Sequence, residues 1–529
     1  MAHNFADLFE HAVDAVPDRV ALIVGDRQVT FRELDARANR LAHHFIGAGF
    51  GEGSHIGIHL HNSIEAVETV FAAFKIRAVP ITVNYRYTSD ELAYLYDNAD
   101  LDALVFHRTY AQVVEDVLPS VPRLRHSLVV DDEPAETSSY EDALASSSPE
   151  RGFGARSGDD RYIVYTGGTT GRPKGVVWRQ EDIWRALAGG SDFYSGEPVP
   201  DEYHQSRLGA SVAEPGRWLL LPPLIHTSAL MTMCNSLFSG NTVLLDHHFD
   251  GHRSWEIVQR HRPQVMVITG DAMGRPLVDA LVGGGYDPTG LGVVASGAAL
   301  FSQSVKDAMF DAIPGVLISD SVGSSETGFS GIGIASKGLV QDGGPRIGAG
   351  RGSFVVDDDG RPVISGEGRL AKKGHVPSGY YNAPVQSAEV FKVIDGERVV
   401  VTGDRARAEG DGTITLLGRG NMVVNTGGEK VFAEEVEAVL KAHPGVYDAI
   451  VIGVPDERWG QRVAAVIRPR EAGAFDVGDV ERHARSTLAG YKIPRSIWLS
   501  DTVERTPSGK PDYRWAHEYA SKTEAHHTI

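Results

Sequence analysis

The chain has a single cysteine, Cys234, in 529 residues. One thiol excludes an intramolecular disulfide, a CxxC redox pair and a multi-cysteine metal site, and it leaves a buried apolar cysteine as the expectation. Positive charge is also in short supply: 51 Lys and Arg stand against 70 Asp and Glu, a formal net charge of −19. Such a background repels nucleic acid and anionic membranes, so neither is expected as a partner, and any cation serving an anionic ligand must act locally. Long apolar runs are missing too. No stretch approaches the about 20 apolar residues that a membrane-spanning helix needs. The N-terminus, with Asp7 and Glu10, lacks a basic region followed by an apolar one. A cytoplasmic globular protein without an integral membrane segment is expected.

What is present is enough apolar material for a large interior, 42% of a chain too long for one core, so at least two domains are expected. Strand and helix patterns alternate from the start. Asn4 can cap a helix whose apolar face is Phe5, Leu8, Phe9, Ala12 and Val13. Thr30 and Glu33 form a capping-box pattern before a second apolar stripe. Continued alternation through residue 106 predicts a layered α/β domain with mostly parallel sheets. The polar stretch 131–159 reads as a surface connection. Residues 191–216, with Pro198, Pro200 and Pro215, read either as a lid or as an unstructured insertion. From residue 331 to 374, short glycine-rich segments predict a small all-β subdomain.

The most specified stretch is 165–177, Y-T-G-G-T-T-G-R-P-K-G-V-V, which follows an apolar strand. Gly167, Gly168 and Gly171 allow a backbone to approach an anion, Thr166, Thr169 and Thr170 add hydroxyls, and Lys174 adds a compact charge. The loop suits a polyphosphate. It is not a Walker A loop, because Pro173 precedes Lys174 and Gly175 follows it.

Other stretches carry chemistry at strand ends. His226 falls at a strand-to-helix turn after Pro222-Pro223. Residues 296–300 offer small side chains and backbone amides to a flat base. In D-S-V-G-S-S-E-T-G, residues 320–328, a carboxylate beside hydroxyls can hold a Mg²⁺ that bridges phosphates. Asp404 is placed at the end of a strand, where a carboxylate can accept two hydrogen bonds from ribose. Thr506-Pro507-Ser508-Gly509-Lys510 sets one lysine on a tight turn.

Together these stretches resemble the adenylate-forming superfamily, most closely its acyl-CoA synthetases for steroid side-chain, diterpenoid or other polycyclic acids. The resemblance covers nearly the whole chain. It implies a large domain over 1–419, a hinge at 420–421 centred on Asn421, and a small mobile α+β domain over 422–529. It further implies ATP, Mg²⁺ and coenzyme A as the small-molecule partners, with a carboxylic acid as substrate and a homodimer as one compatible assembly. Residue by residue, it assigns pyrophosphate contacts to residues 166–171 and Lys174, and adenine contacts to Gly297, Ala298, Ala299, Val322 and Gly323. Ser324 would line the nucleotide site, Ser325 would contact phosphate, Glu326 the metal, Asp404 the ribose, and Arg419 the ribose or a phosphate. His226, Thr227 and Ser228 would shape the acyl pocket, Gly427 and Gly428 a coenzyme A channel, and Lys510 would be catalytic. Two positions depart from the family pattern: Val322 replaces an adenine-stacking aromatic, and Asn421 replaces the usual Asp or Lys. The absence of a carrier domain before Ile529, and of an Asp near His226, favours coenzyme A as acceptor over amino-acid activation. The alternatives are a medium- or long-chain fatty acyl-CoA synthetase, a luciferase-like oxygenase, or a non-catalytic nucleotide-binding relative.

Overall fold

A computed structural model describes residues 3–131, 139–166, 172–192, 195–299, 301–338, 346–348, 352–419, 422–426, 429–456, 460–471, 473, 475–488, 490–506 and 509–528. The predicted N-terminal caps are present. Asn4 accepts a hydrogen bond from the Ala6 amide, and Thr30 and Glu33 form a reciprocal capping box at the start of helix Phe31–Gly47.

The large domain is layered around two mainly parallel sheets. An eight-stranded sheet contains Val20–Val24, Thr242–Leu245, Arg217–Leu220, Val265–Ile268, Val293–Gly297 and Leu317–Ser324 as a parallel series, with antiparallel strands at both edges. A four-stranded parallel sheet is built from Val79–Thr82, His55–His59, Ala103–His107 and His126–Val130. Helix Ile64–Lys75 is buried along its whole length, and its apolar side chains join residues from both sheets in one core. Burial on every side explains why its pattern is nearly continuous rather than striped.

The β subdomain runs further than the sequence suggested. Its strands extend from Arg346–Gly348 to Thr413–Arg419, whereas Gly328–Ile334 closes the edge of the eight-stranded sheet. The C-terminal unit pairs Val446–Asp456, Gly460–Pro469 and neighbouring strands in a six-stranded sheet, covered by helices Ala433–Ala442 and Val477–Thr487.

Two polar stretches are more ordered than their composition implied. Within 131–159, helix Ser139–Ala145 buries Tyr140, Ala143 and Leu144, and the Tyr140 hydroxyl donates to Glu68 at 2.7 Å. Within 191–216, helix His204–Ala210 packs on the first helix. Tyr203 stacks on His11 at 4.1 Å, and the Trp184 indole donates to Gln205 at 2.9 Å. Short apolar and amide anchors hold the helices of these stretches, while residues 146–157 run as an exposed or half-buried connection without helix or strand.

Charge is also buried. Lys75 is fully enclosed and reaches Glu10 at 2.5 Å and Asp35 at 2.7 Å, while Arg156 and Arg151 bind the same two carboxylates. Burial pushes the Glu10 carboxyl up, but Lys75 and Arg156 outweigh it and hold it below the ordinary carboxylate range. Its stabilisation is therefore present above that range and is lost as pH falls through the lowered value. Lys75→Met should cost about 3 kcal/mol by leaving carboxylates short of a buried cation. Thermal or denaturant unfolding followed against pH should show lower stability at neutral pH and a shallower loss in acid.

Candidate active site

Local sequence sets the turn that carries Lys510. The Thr506 amide donates to the Lys510 carbonyl at 2.8 Å, and the Gly509 amide donates to the Thr506 carbonyl at 2.8 Å. Gly509 has φ +74°, and a Cβ there would lie 3.0 Å from Thr269 and 3.1 Å from Ala272 of the large domain. Glycine suits the left-handed backbone, and any side chain there would press on the large domain. Arg505 anchors the turn from beneath through a bidentate pair with Asp448, at 2.8 and 2.6 Å. Burial pushes Asp448 up, yet the Arg505 guanidinium brings it below its ordinary value.

So placed, Lys510 lines one cavity together with Gly297, Ala298, Ala299, Val322, Gly323 and Asp404. The predicted adenine turn follows strand Val293–Gly297. Ala298 adopts φ +64°, and the Ala299 amide donates back to the Gly297 carbonyl at 2.8 Å. A non-glycine residue in this region costs about 1 kcal/mol, which surrounding structure must offset. Asp320, also at the cavity, pairs with Lys306; burial dominates and raises its carboxyl.

Residues 320–328 differ from the expected strand-end loop. They form the tip of a hairpin in which Leu317–Ser324 runs straight into the turn and pairs antiparallel with Gly328–Ile334. A Cβ at Gly323 would come within 2.1 Å of the Gly328 carbonyl, so only glycine fits this closure. Thr327 locks the tip: its hydroxyl accepts from the Ser324 amide at 3.0 Å and from Ser330 at 3.1 Å.

The hairpin tip carries Glu326 toward a second group of side chains. Strands Arg161–Thr166 and Lys174–Arg179 form an antiparallel hairpin with Thr166 opposite Lys174, and Gly379–Tyr380 adds a third strand. The Lys174 ammonium lies 5.3 Å from the Tyr380 ring centre, and the Tyr380 hydroxyl donates to Glu326 at 2.9 Å. Trp178 donates to the Ser325 carbonyl at 2.9 Å, and the Ser325 and Thr227 hydroxyls are 3.3 Å apart. Thr227 begins helix Thr227–Phe238, with His226 at its cap and Ser228 exposed beside it. Phosphate-side and acyl-side candidates are thus hydrogen-bonded neighbours.

Asp404 lies inside strand Glu397–Glu409, not at a strand end, with Arg419 as its register partner. The apolar run stops at Thr402, but pairing continues past Gly403 through an irregularity at Arg405 and Ala406. Gly167, Gly168, Thr169, Thr170, Gly171, Asn421, Gly427 and Gly428 lie outside the described residues. Among the described residues, no cluster of three or more His, Cys, Asp or Glu could hold a metal by itself.

Several site residues were not singled out from sequence. Glu437, Lys441, Arg505 and Tyr513 line the cavity from the small domain, and Tyr380 bridges Lys174 to Glu326. Glu437 is enclosed; burial raises its carboxyl to about 7, while Val451 and Tyr513 donate to one of its oxygens at 2.9 and 3.2 Å. Its position one turn before Lys441 on an otherwise amphipathic helix was the available signal.

The model of AMP-binding enzymes matches residues 9–381, and that of their C-terminal domain matches 435–510. The chain is 49% identical to a 3-oxocholest-4-en-26-oate–CoA ligase from Rhodococcus rhodochrous, covering 98% of this chain and 96% of that one. It is 47% identical to a medium/long-chain-fatty-acid–CoA/3-oxocholest-4-en-26-oate–CoA ligase from Mycolicibacterium smegmatis, over 99% and 98% of the two chains. In fold it is similar to the anthranilate CoA ligase AuaEII solved with anthranoyl-AMP, with a TM-score of 0.84, 21% identity and 98% of each chain covered. No helix among the described residues is long and apolar enough to cross a membrane. The chain belongs to the AMP-binding enzyme family, within the acyl-CoA synthetase branch to which its motifs pointed.

Proposed function

We propose that this protein is an ATP-dependent ligase that joins a bulky, hydrophobic, polycyclic carboxylic acid to coenzyme A. The observation carrying the proposal is the convergence of Lys510 from one domain with Gly297, Val322 and Asp404 from the other on a single cavity. The likeness to ligases named for a steroid acid supports the substrate class.

In the first step a carboxylate oxygen bonds to the α-phosphorus of ATP, the bond to pyrophosphate breaks, and an acyl-adenylate forms. The acid is already ionised at neutral pH, so no general base is required. The difficulty is that one anion attacks another. A lysine about 4 Å away contributes roughly 4 kcal/mol at an effective dielectric near 20, and Lys510 fills that role. Asp404 receives the ribose, Arg419 assists it, and Val322 packs against adenine without the roughly 1 kcal/mol an aromatic could add by stacking. Lys174 and the 166–171 loop steady pyrophosphate as it leaves.

Glu326 fits a Mg²⁺ that arrives on polyphosphate, because it would offer the ion a hard carboxylate oxygen. The ion would supply charge neutralisation between phosphate oxygens. The Tyr380 hydroxyl, which donates to Glu326, would hold that carboxylate for the ion. His226, Thr227 and Ser228 shape the acyl side. In the second step the thiol sulfur bonds to the acyl carbon, AMP leaves, and the thiol proton passes to solvent. The small domain, 422–529, would turn about Asn421, withdraw Lys510 and bring Gly427 and Gly428 to the thiol channel.

A fatty acid of medium or long chain is the second reading, because the Mycolicibacterium relative is named for both substrates. An acid panel read by pyrophosphate release should rank polycyclic acids roughly tenfold above fatty acids in kcat/KM, a margin within reach of apolar pocket fit. Reversed ranking would transfer the assignment to fatty acids.

Lys510→Ala should slow adenylate formation by about three orders of magnitude, while thioester formation from supplied acyl-adenylate stays within about twofold. Equal loss of both steps would reject its assignment. Tyr380→Phe removes the hydroxyl that holds Glu326 and should lower adenylation about tenfold while raising the Mg²⁺ concentration needed for half-maximal rate. An unchanged Mg²⁺ requirement would remove Tyr380 from that role.

A further inference from the structure

Lys510 reaches the cavity only while the small domain is docked, so whatever fixes docking also positions Lys510. Among the described interdomain ion pairs, Arg470 meets Asp279 at 3.5 Å with both side chains exposed. Such pairs are screened and contribute little. A second pair is buried. Lys441, on helix Ala433–Ala442 of the small domain, meets Asp271 of the large domain at 3.2 Å, and the two side chains are only 1% and 4% exposed.

The same Asp271 carboxylate is also tied into the large domain. Its other oxygen accepts from the Ser302 amide at 2.8 Å and from the Ser302 hydroxyl at 2.9 Å. Ser302 caps helix Gln303–Ala312, just beyond the Gly297–Ala299 turn that borders the cavity. One buried carboxylate therefore joins the cap of helix Gln303–Ala312 in the large domain to the lysine of the small one. Lys441 itself lines the cavity beside Glu437, its neighbour one helical turn earlier.

We propose that Lys441 and Asp271 are positioning residues for the adenylation step: their buried ion pair latches the small domain so that Lys510 stands over the nucleotide cavity. This rests on the ligase reading given above. Removing either partner leaves the other charge enclosed without its mate, which biases the domain away from docking. Neither Lys441 nor Asp271 is required to touch the reacting atoms, and the second half-reaction, run with the domain turned away, does not need their contact.

The test separates the half-reactions. Lys441→Met and Asp271→Asn should each lower acid-dependent exchange of pyrophosphate into ATP on the order of 100-fold, the scale expected for one partner lost from a buried pair. Thioester formation from supplied acyl-adenylate should change less than about threefold in both. Docking is read independently of activity by an exposed Asp279→Cys/Arg470→Cys pair joined with a short bis-maleimide, since the native Cys234 is buried. Adding Lys441→Met to that pair should lower the cross-linked yield several-fold at equal folded content. Unchanged cross-linking, or equal loss of both half-reactions in folded protein, overturns the latch. Absence of exchange with every acid in the native enzyme would overturn the ligase reading instead, and the cross-linking yield would still decide the latch.

Discussion

The seating of the Gly509 turn against Thr269 and Ala272 makes one cavity out of two domains. A Cβ at residue 509 would stand 3.0 Å from Thr269, tighter than most side-chain contacts, so the neighbouring domain would have to give. The Arg505–Asp448 pair holds the turn from below, at 2.6 Å for the shorter contact. This apposition gives Lys510 its place beside Gly297, Val322 and Asp404. In a chain of net charge −19, local delivery of a cation to an anionic reaction is the central electrostatic problem.

The large domain supplies a rigid frame for that delivery. Parallel strands deliver their C-terminal ends to one side, where turns at 296–299, 222–228 and 325–327 meet. The family chemistry asks these turns for small residues and hydroxyls, and their folding explains how such residues are tolerated. Thr327 satisfies the backbone of its own hairpin tip, and Tyr380 ties that tip to the strand carrying Lys174. Glu326 is thereby held by structure rather than left on a loose acidic loop. The network also makes neighbours of Ser325 and Thr227, the residues proposed for the phosphate and acyl sides, as a reaction between a carboxylate and a phosphate requires.

Much of this could be read from sequence because the relevant signals are local. The caps at Asn4 and Thr30, the apolar stripes of the first two helices and the alternation of strand and helix depend on nearest neighbours, and each appears in the structure. The motifs around residues 297, 322, 404 and 510 were also legible one by one. Their convergence was not, because nothing local brings residue 510 to residue 297. Helix Ser139–Ala145 was hidden by polar surroundings, since Tyr140, Ala143 and Leu144 supply only one apolar face in a short segment. Asp404 was misplaced within its strand because a glycine after an apolar run resembles an ending, whereas the pairing passes through it. Tyr380 and the buried pair of Asp271 and Lys441 escaped for a common reason: their partners are 54 and 170 positions away, and only tertiary packing gives them meaning.

The central claim is that a carboxylate oxygen attacks the α-phosphorus within this two-domain cavity. The most direct measurement supplies the acid with both carboxylate oxygens labelled with ¹⁸O, adds ATP and coenzyme A, and weighs the products by mass spectrometry. The account expects one labelled oxygen in AMP, one retained in the thioester and none in pyrophosphate. Thioester formed with unlabelled AMP would contradict it.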